Sequence, residues 1–376
     1  MKDKRIDLVS HLKGLKKETL KIVVGFDGFV DEIIHAVDKR MDSANYSRIE
    51  TIEAFSERIA RASGLSTNIE LVPQQVKIGG NGPIMCNALS KHDVNINYIG
   101  ALGYPTIDNV FNDLDNNVEI HSIANPGHTD AVEFHDGKLM LGKMSSLSDL
   151  TYERMIELLG KDKVVELLSE TNMVASVNWS MIPHNTDLWR KIISEILPLL
   201  PKRENKPVFF VDFADPEKRE NDEVIEALDL LKEFKSKFFV TLGLNKKEAY
   251  DVAKVLELFD FQSLDNMQVS LEDLSIALYE YLKIDSVVIH PVDSSCTVID
   301  GVFYSERGPY ISKPKLTTGA GDNFNAGFAL GMLYHLSPEQ ALLTGMSTSG
   351  YYVRNAKSPN FDELVDFIDL WVNEKI

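Results

Sequence analysis

Cysteine is scarce in this chain: two among 376 residues, Cys86 and Cys296. Both sit among apolar neighbours. Neither a disulfide framework nor a paired-cysteine zinc pattern can be assembled from them, and both read as small core hydrophobes. Positive charge is also short, with 39 Lys and Arg against 57 Asp and Glu and a formal net charge of −18. Nucleic acid and anionic membrane both require a positive surface, so neither is expected as a partner. An anionic nucleotide is not excluded, because a few local donors and a metal suffice to hold phosphate. No apolar run approaches the roughly 20 residues that span a bilayer. The first 21 residues are strewn with Lys, Asp, Arg and Glu and contain no apolar h-region. That argues against a secretory signal and makes the cytoplasm the expected location. Internal repeats, low-complexity tracts and long linkers are missing as well.

What is present is an ordinary globular composition, 44% hydrophobic and 26% charged. Short apolar, β-branched or aromatic runs alternate with segments of helical period. The pattern predicts strands at 21–26, 95–99, 173–177, 208–212, 238–241 and 286–290. It predicts helices at 49–62, 83–90, 152–168, 188–199, 222–234, 246–258, 271–282, 322–334, 338–355 and 362–373. Such alternation implies an α/β fold with a mostly parallel sheet, helices on both faces and a ligand beyond the carboxyl ends of the strands. Two stretches break the rhythm. Residues 118–143 read as strand, loop, strand, turn, strand, with Asp136-Gly137 as a hairpin signal. Residues 38–75 read as a helical insertion with an extended return. Segments 35–78 and 118–143 are expected to form a small β lid on a single domain covering 1–376.

The most informative stretch is 316–333, L-T-T-G-A-G-D-N-F-N-A-G-F-A-L-G-M-L. A glycine-rich turn opens directly into a helix whose small residues suit close packing. A helix starting at Gly319-Ala320-Gly321 offers unpaired N–H groups and the positive end of its dipole, which together make an anion site. Asp322 stands at that start. As a bare feature it is a helix cap. Beside a phosphate cradle it is also placed to take a proton from an attacking hydroxyl.

The stretch resembles the C-terminal signature of the ribokinase-like (PfkB) carbohydrate kinases, D-T-x-G-A-G-D. The resemblance implies a three-layer α/β/α sandwich with a small β lid. It makes Asp322 the catalytic base and Gly319, Ala320 and Gly321 the anion hole, with Thr318 beside the nucleotide. Other motifs follow the family in order over roughly 20–372. Gly25 to Asp31 resembles the family's G-x-x-x-x-D, whose Asp binds sugar hydroxyls. Asp31 fits with one extra residue of spacing, and Asp27 is its rival. Gly79-Gly80-Asn81 resembles the start of G-G-x-x-x-N, implying substrate contacts. Asn245 and Glu248 fit N-x-x-E, which implies Mg²⁺ and phosphate placement through water; the same pair is also a capping box.

Three departures matter. Leu316 stands where the family has the first Asp of D-T-x-G-A-G-D. Leucine offers no oxygen to an ion, so potassium activation is not expected. Ile84 occupies the later Asn position of the glycine motif. Val292 and Ser295 replace glycines after the strand ending in His290, which alters the nucleotide wall; ATP is the expected donor and ADP a live alternative. Residues 137–144, G-K-L-M-L-G-K-M, nearly match a P-loop, but Met144 stands where a Ser or Thr must bind Mg²⁺ and the segment reads as a hairpin.

The expected function is nucleotide-dependent phosphorylation of a sugar or sugar-like hydroxyl. A nucleoside kinase or an ADP-dependent sugar kinase is the alternative within the superfamily. A non-catalytic sugar or nucleotide sensor is the alternative of another class. Pairing of two copies through the lid is expected from the family resemblance alone.

Overall fold

The computed structural model describes residues 3–15, 19–260 and 269–376. The first half of the chain holds α1 (Lys4–Lys13), β1 (Leu20–Phe26), β2 (Phe29–Arg40), β3 (Tyr46–Arg48), α2 (Ile52–Ala60) and β4 (Leu71–Gly79). There follow α3 (Asn81–Ser90), β5 (Val94–Gly100), β6 (Val118–Ser122), β7 (Gly127–Phe134), β8 (Gly137–Lys143), α4 (Tyr152–Leu159) and α5 (Lys161–Glu170). The second half holds β9 (Met173–Val177), α6 (Asn185–Lys191), β10 (Val208–Asp212), α7 (Asn221–Phe234), β11 (Phe239–Leu244), α8 (Lys246–Val255) and α9 (Leu271–Leu282). It closes with β12 (Ser286–Ile289), β13 (Ser294–Ile299), β14 (Val302–Arg307), α10 (Ala320–Leu333), α11 (Pro338–Asn355) and α12 (Phe361–Val372).

Nine strands make the main sheet, in the order β14-β13-β12-β11-β10-β9-β1-β5-β6. From β12 through β6 neighbours run parallel; β13 and β14 add an antiparallel edge. β9 and β10 are buried at every position, as parallel strands covered on both faces must be. One face packs Leu12, Met85, Phe328, Leu342 and Ile368 from α1, α3, α10, α11 and α12. The other packs Met155, Leu168, Trp189, Leu228 and Leu278 from α4, α5, α6, α7 and α9. The result is a three-layer α/β/α sandwich. Both cysteines are free and buried within it. Among the described residues no helix is long and apolar enough to cross a membrane.

The chain lays β1, β5 and β6 toward one edge, returns to the other side of β1 with β9, and continues through β10, β11 and β12 toward the opposite edge. The order therefore reverses between β1 and β9, whose ends pair as Phe26 with Val177. In open α/β sheets that reversal leaves a crevice at the carboxyl ends, where ligands bind.

A separate five-stranded sheet has the order β3-β2-β7-β8, with β4 also paired to β2. Helix α2 covers one of its faces: Ile52 and Phe55 pack on a cluster of Ile34, Ala36, Val132 and Phe134. The P-loop-like residues lie on β8 in the β7–β8 hairpin, where Lys143 pairs with Asp130 at 2.9 Å.

Several elements differ from the sequence expectation. The first strand of 118–143 does not stand off the main sheet: β6 pairs with β5 as its edge. The second sheet starts earlier, at Phe29. Its long strand β2 is buried at most positions and so lacks the alternation that marks a half-exposed strand. The helix expected over 152–168 is two helices, because Gly160 at φ 82 ends α4 and opens α5. The helix expected at 188–199 begins at Asn185 and unwinds through a π turn at Ile192–Ile196 and a 3-10 turn at Leu197–Leu199. The helix expected over 246–258 ends at Val255. The edge hairpin β13–β14 and helix α1 were not anticipated.

Candidate active site

Two helices open at the carboxyl end of the sheet, and both begin on a glycine with positive φ. Gly319 (φ 87) caps α10 and Gly80 (φ 89) caps α3, and neither supplies a side-chain cap. Only glycine takes this backbone without strain. Bulk is excluded as well. A Cβ on Gly319 would lie 2.9 Å from Tyr352 Oη, and one on Gly80 would lie 2.6 Å from Asp27 Oδ2. In the predicted anion hole, the Ala320 amide donates to the Thr317 carbonyl at 3.1 Å. The amides of Gly319 and Gly321, by contrast, make no backbone hydrogen bond. Thr318 is exposed, and its carbonyl accepts from Tyr352 Oη at 2.9 Å.

Asp322 lies in the first turn of α10 and is 8% exposed. Burial pushes its pKa up to about 8. The charges of Asp27 and Glu248 push the same way, while a hydrogen bond from the Asn81 side chain opposes them. A carboxyl tuned near neutrality is suited to proton transfer. Asn81, the first residue of α3, thereby links the two helix starts.

The two rival aspartates take different places. Asp27 follows β1 and is fully buried. Its Oδ1 accepts from the Gly82 amide at 2.8 Å and its Oδ2 from Asn178 Nδ2 at 2.6 Å, while its carbonyl accepts from Tyr98 Oη at 2.6 Å. It therefore caps α3 from outside, and burial raises its pKa to about 6. Asp31 lies on β2, opposite Lys77. Its carboxylate hangs over the last residue of β4: a Cβ on Gly79 would lie 2.3 Å from Asp31 Oδ1. Asp31 thus belongs to the small sheet, whereas Asp27 belongs to the crevice.

Glu248 and Asn245 form the full capping box of α8. Glu248 Oε2 accepts from the Asn245 amide at 2.9 Å and Oε1 from the Asp215 amide at 3.1 Å. The neighbouring Asp212 ends β10, accepting from Asn325 Nδ2 at 2.7 Å and from the Ala214 amide at 2.8 Å. Burial, then the charges of Glu248 and Asp322, hold the Asp212 pKa well above the carboxylate range. Three acids thus crowd one end of the sheet. Among the described residues no group of three or more His, Cys, Asp or Glu is placed to ligate an ion directly.

Sequence reasoning missed two neighbours of this site, Asn178 and Tyr352, whose partners lie far away in the chain. Asp212 opens a strand-end stretch, 211–216, that resembles the family's D-x-N-x-R region, and Asn325 lies within the 316–333 signature. Ile84, where the motif expects Asn, contacts the site: its Cγ2 would lie 3.1 Å from a Cβ on Gly319. His290 stacks on Phe324 of α10 at 4.7 Å, and burial lowers its pKa to about 4.

A helix start on Gly319 with a buried acid in its first turn, at the crevice of a three-layer sandwich, fits a carbohydrate kinase, a phosphotransferase with an alcohol group as acceptor. Comparison with known proteins agrees. The family model for prokaryotic ketohexokinase matches residues 14–371, and the chain belongs to that family. A ketohexokinase of Haloferax volcanii is 28% identical over 351 residues, covering 92% of this chain and 90% of that protein. In fold, the chain resembles Arabidopsis thaliana ribokinase complexed with ribose and ATP: TM-score 0.63, 15% identity, 94% of this chain and 99% of that one. It also resembles a phosphofructokinase-2 mutant from Escherichia coli, with TM-score 0.60, 13% identity and coverage of 95% and 100%.

Proposed function

We propose that the protein phosphorylates a hydroxyl of a ketohexose with ATP as donor, using Asp322 as general base. The observation that carries this reading is a buried carboxyl, tuned to about pH 8, on a helix start that leaves the Gly319 and Gly321 amides unpaired. The ketohexose is supported by the family match and ATP by the ligand of the ribokinase neighbour.

In this reading Asp322 Oδ takes the hydroxyl proton as the sugar oxygen attacks in line. Asn81 holds the carboxyl in orientation. The Gly319 and Gly321 amides, with the α10 dipole, stabilise charge on the transferring group. Asp31, on the lid, accepts sugar hydroxyls. The lid sheet excludes water from the crevice. Mg²⁺ fits the acidic end: Glu248 and Asp212 offer hard oxygens whose mutual repulsion a cation would relieve. With no set of three direct ligands, water completes such a shell. When bound, the ion neutralises phosphate charge.

The test is a screen of ketohexoses, aldohexoses and nucleosides with ATP or ADP as donor. We expect a ketohexose with ATP to give the highest kcat/KM. Faster turnover of a nucleoside, or with ADP, would overturn the acceptor or the donor respectively. Binding without any turnover would point to a sensor.

A further inference from the structure

Strands β9 and β10 are buried on both faces, but β5 and β6 are not. Val94, Ile96, Tyr98, Val118 and Ile120 pack into the core on the α3 and α10 side. The residues that alternate with them, Asn95, Asn97, Glu119 and His121, face the other helix layer and give it nothing apolar to cover. His121 Nε2 and Asn97 Oδ1 meet there at 2.9 Å. Helix α5 lies beside this polar floor and bounds a cavity of about 550 Å³, within the size range of small-molecule sites. The cavity touches residues 21–23 of β1 and 95–97 of β5, the amino halves of those strands. Asp322 and the helix starts at Gly80 and Gly319 gather at the carboxyl ends instead.

The charges around the cavity are largely matched within the protein. Lys21 Nζ lies 2.6 Å from Glu170, and Lys163 Nζ lies 3.4 Å from Glu166. Glu119 has His121 beside it at 3.6 Å, but burial lowers the imidazole pKa, so a negative charge is left over. The amides are not matched. Among the described residues, Asn95 makes no side-chain hydrogen bond and Asn97 Nδ2 has no partner. Asn117, also on the cavity wall, donates from Nδ2 to the Ser90 carbonyl at 2.9 Å and the Val94 carbonyl at 2.8 Å. Those bonds fix its amide and leave Oδ1 buried without a partner. A buried acceptor left unpaired is costly, and native structures seldom leave one without a reason.

We propose that this cavity is a second, non-catalytic binding site for a neutral polyhydroxyl molecule, a sugar or a sugar alcohol. An unpaired amide offers donors or an acceptor, and a hydroxyl answers either. Asn95, Asn97 and Asn117 therefore suit a ligand made of adjacent hydroxyls. The negative charge left over repels phosphate, so the site takes the free sugar and refuses its phosphate ester. The inference goes beyond the kinase reading and does not depend on it.

The test is equilibrium dialysis of radiolabelled D-fructose, D-glucose and sorbitol against the full chain, as wild type and as Asn95→Trp. Asn95 is exposed on its strand, so an indole there fills the cavity without displacing core, and tryptophan suits a strand. Glu119→Trp, on the neighbouring strand, blocks the same space should the first variant melt early. We expect wild type to bind at least one of these probes with an additional equivalent that is lost in the blocked variants. D-fructose 6-phosphate, dialysed the same way, should show no such loss. Equal stoichiometry in wild type and blocked variants would overturn the proposal. So would a loss of bound phosphate ester on blocking as large as the loss of neutral sugar. Wild type binding none of the neutral probes would overturn it too, a result that needs no variant to fold. Turnover is not read, and only the difference between wild type and variant counts, so failure of the kinase reading leaves the outcome unaffected.

Discussion

Asp322 is placed where its proton is easily kept and its charge is poorly tolerated. Burial and two nearby acids raise its pKa to about 8, against about 3.9 for an unfolded aspartate. Two outcomes follow. First, kcat/KM should rise with pH, pass half its maximum near pH 8 and level off above about pH 9, because the base works only when deprotonated; a profile flat from pH 6 to 9 would contradict this. Second, the native state binds a proton that the unfolded chain has lost between about pH 4 and 8. The stability this shift contributes is present at acid pH and fades as pH rises through that window. Asp322→Asn should therefore raise the melting temperature by a few degrees at pH 8, with the gain shrinking toward pH 4, as scanning calorimetry would show. A third residue-level outcome concerns Leu316, which lacks an oxygen where potassium-activated relatives have one. Replacing sodium by potassium should change kcat by less than about twofold, since leucine contributes no ligand to such an ion.

At the scale of elements, the site is made of helix starts and strand ends. The glycine motifs at 79–81 and 319–321 were legible because they demand a special backbone, and a special backbone demands glycine. Gly319→Ala should lower kcat/KM by at least about tenfold: the added methyl meets Tyr352 Oη at 2.9 Å and the left-handed φ is lost to strain. The turn after β10 was not legible in the same way. Ala214 and Asp215 are both left-handed, at φ 53 and 57, and are held there by Asp212 and Glu248 accepting their amides. A left-handed alanine costs about 1–2 kcal/mol, of which glycine returns a part through its looser unfolded state. Ala214→Gly should raise the melting temperature by about 1–2 °C. A drop instead would mean that the methyl packs usefully. No strand was expected at Phe29–Arg40, where the lid sheet has its long β2, since residues buried on both sides of a strand carry no alternation. Also missed were β13 and β14, although Asp300-Gly301 between them, with both residues at positive φ, carries the same hairpin signal as Asp136-Gly137.

For the whole molecule, strand–helix alternation was enough to predict a mostly parallel sheet with helices on both faces, and the family resemblance implied the three-layer sandwich that the structure has. What local patterns do not contain is which strand lies beside which. The strand at 118–122 looked like part of the lid, yet it closes the edge of the main sheet, because pairing is decided by partners distant in sequence. The same holds for the crevice, where Asp27 meets Asn178 across 151 positions. Its location follows from the reversal of strand order and from nothing in the neighbourhood of either residue. The molecule sets one buried acid against one glycine cradle at that crevice, and catalysis should depend on the acid far more than folding does. The direct measurement is steady-state turnover of a ketohexose with ATP by Asp322→Asn, beside its thermal melt. The account predicts kcat lower by about 10²–10⁴-fold in a protein that melts no earlier than wild type. A variant within tenfold of wild-type kcat would contradict it.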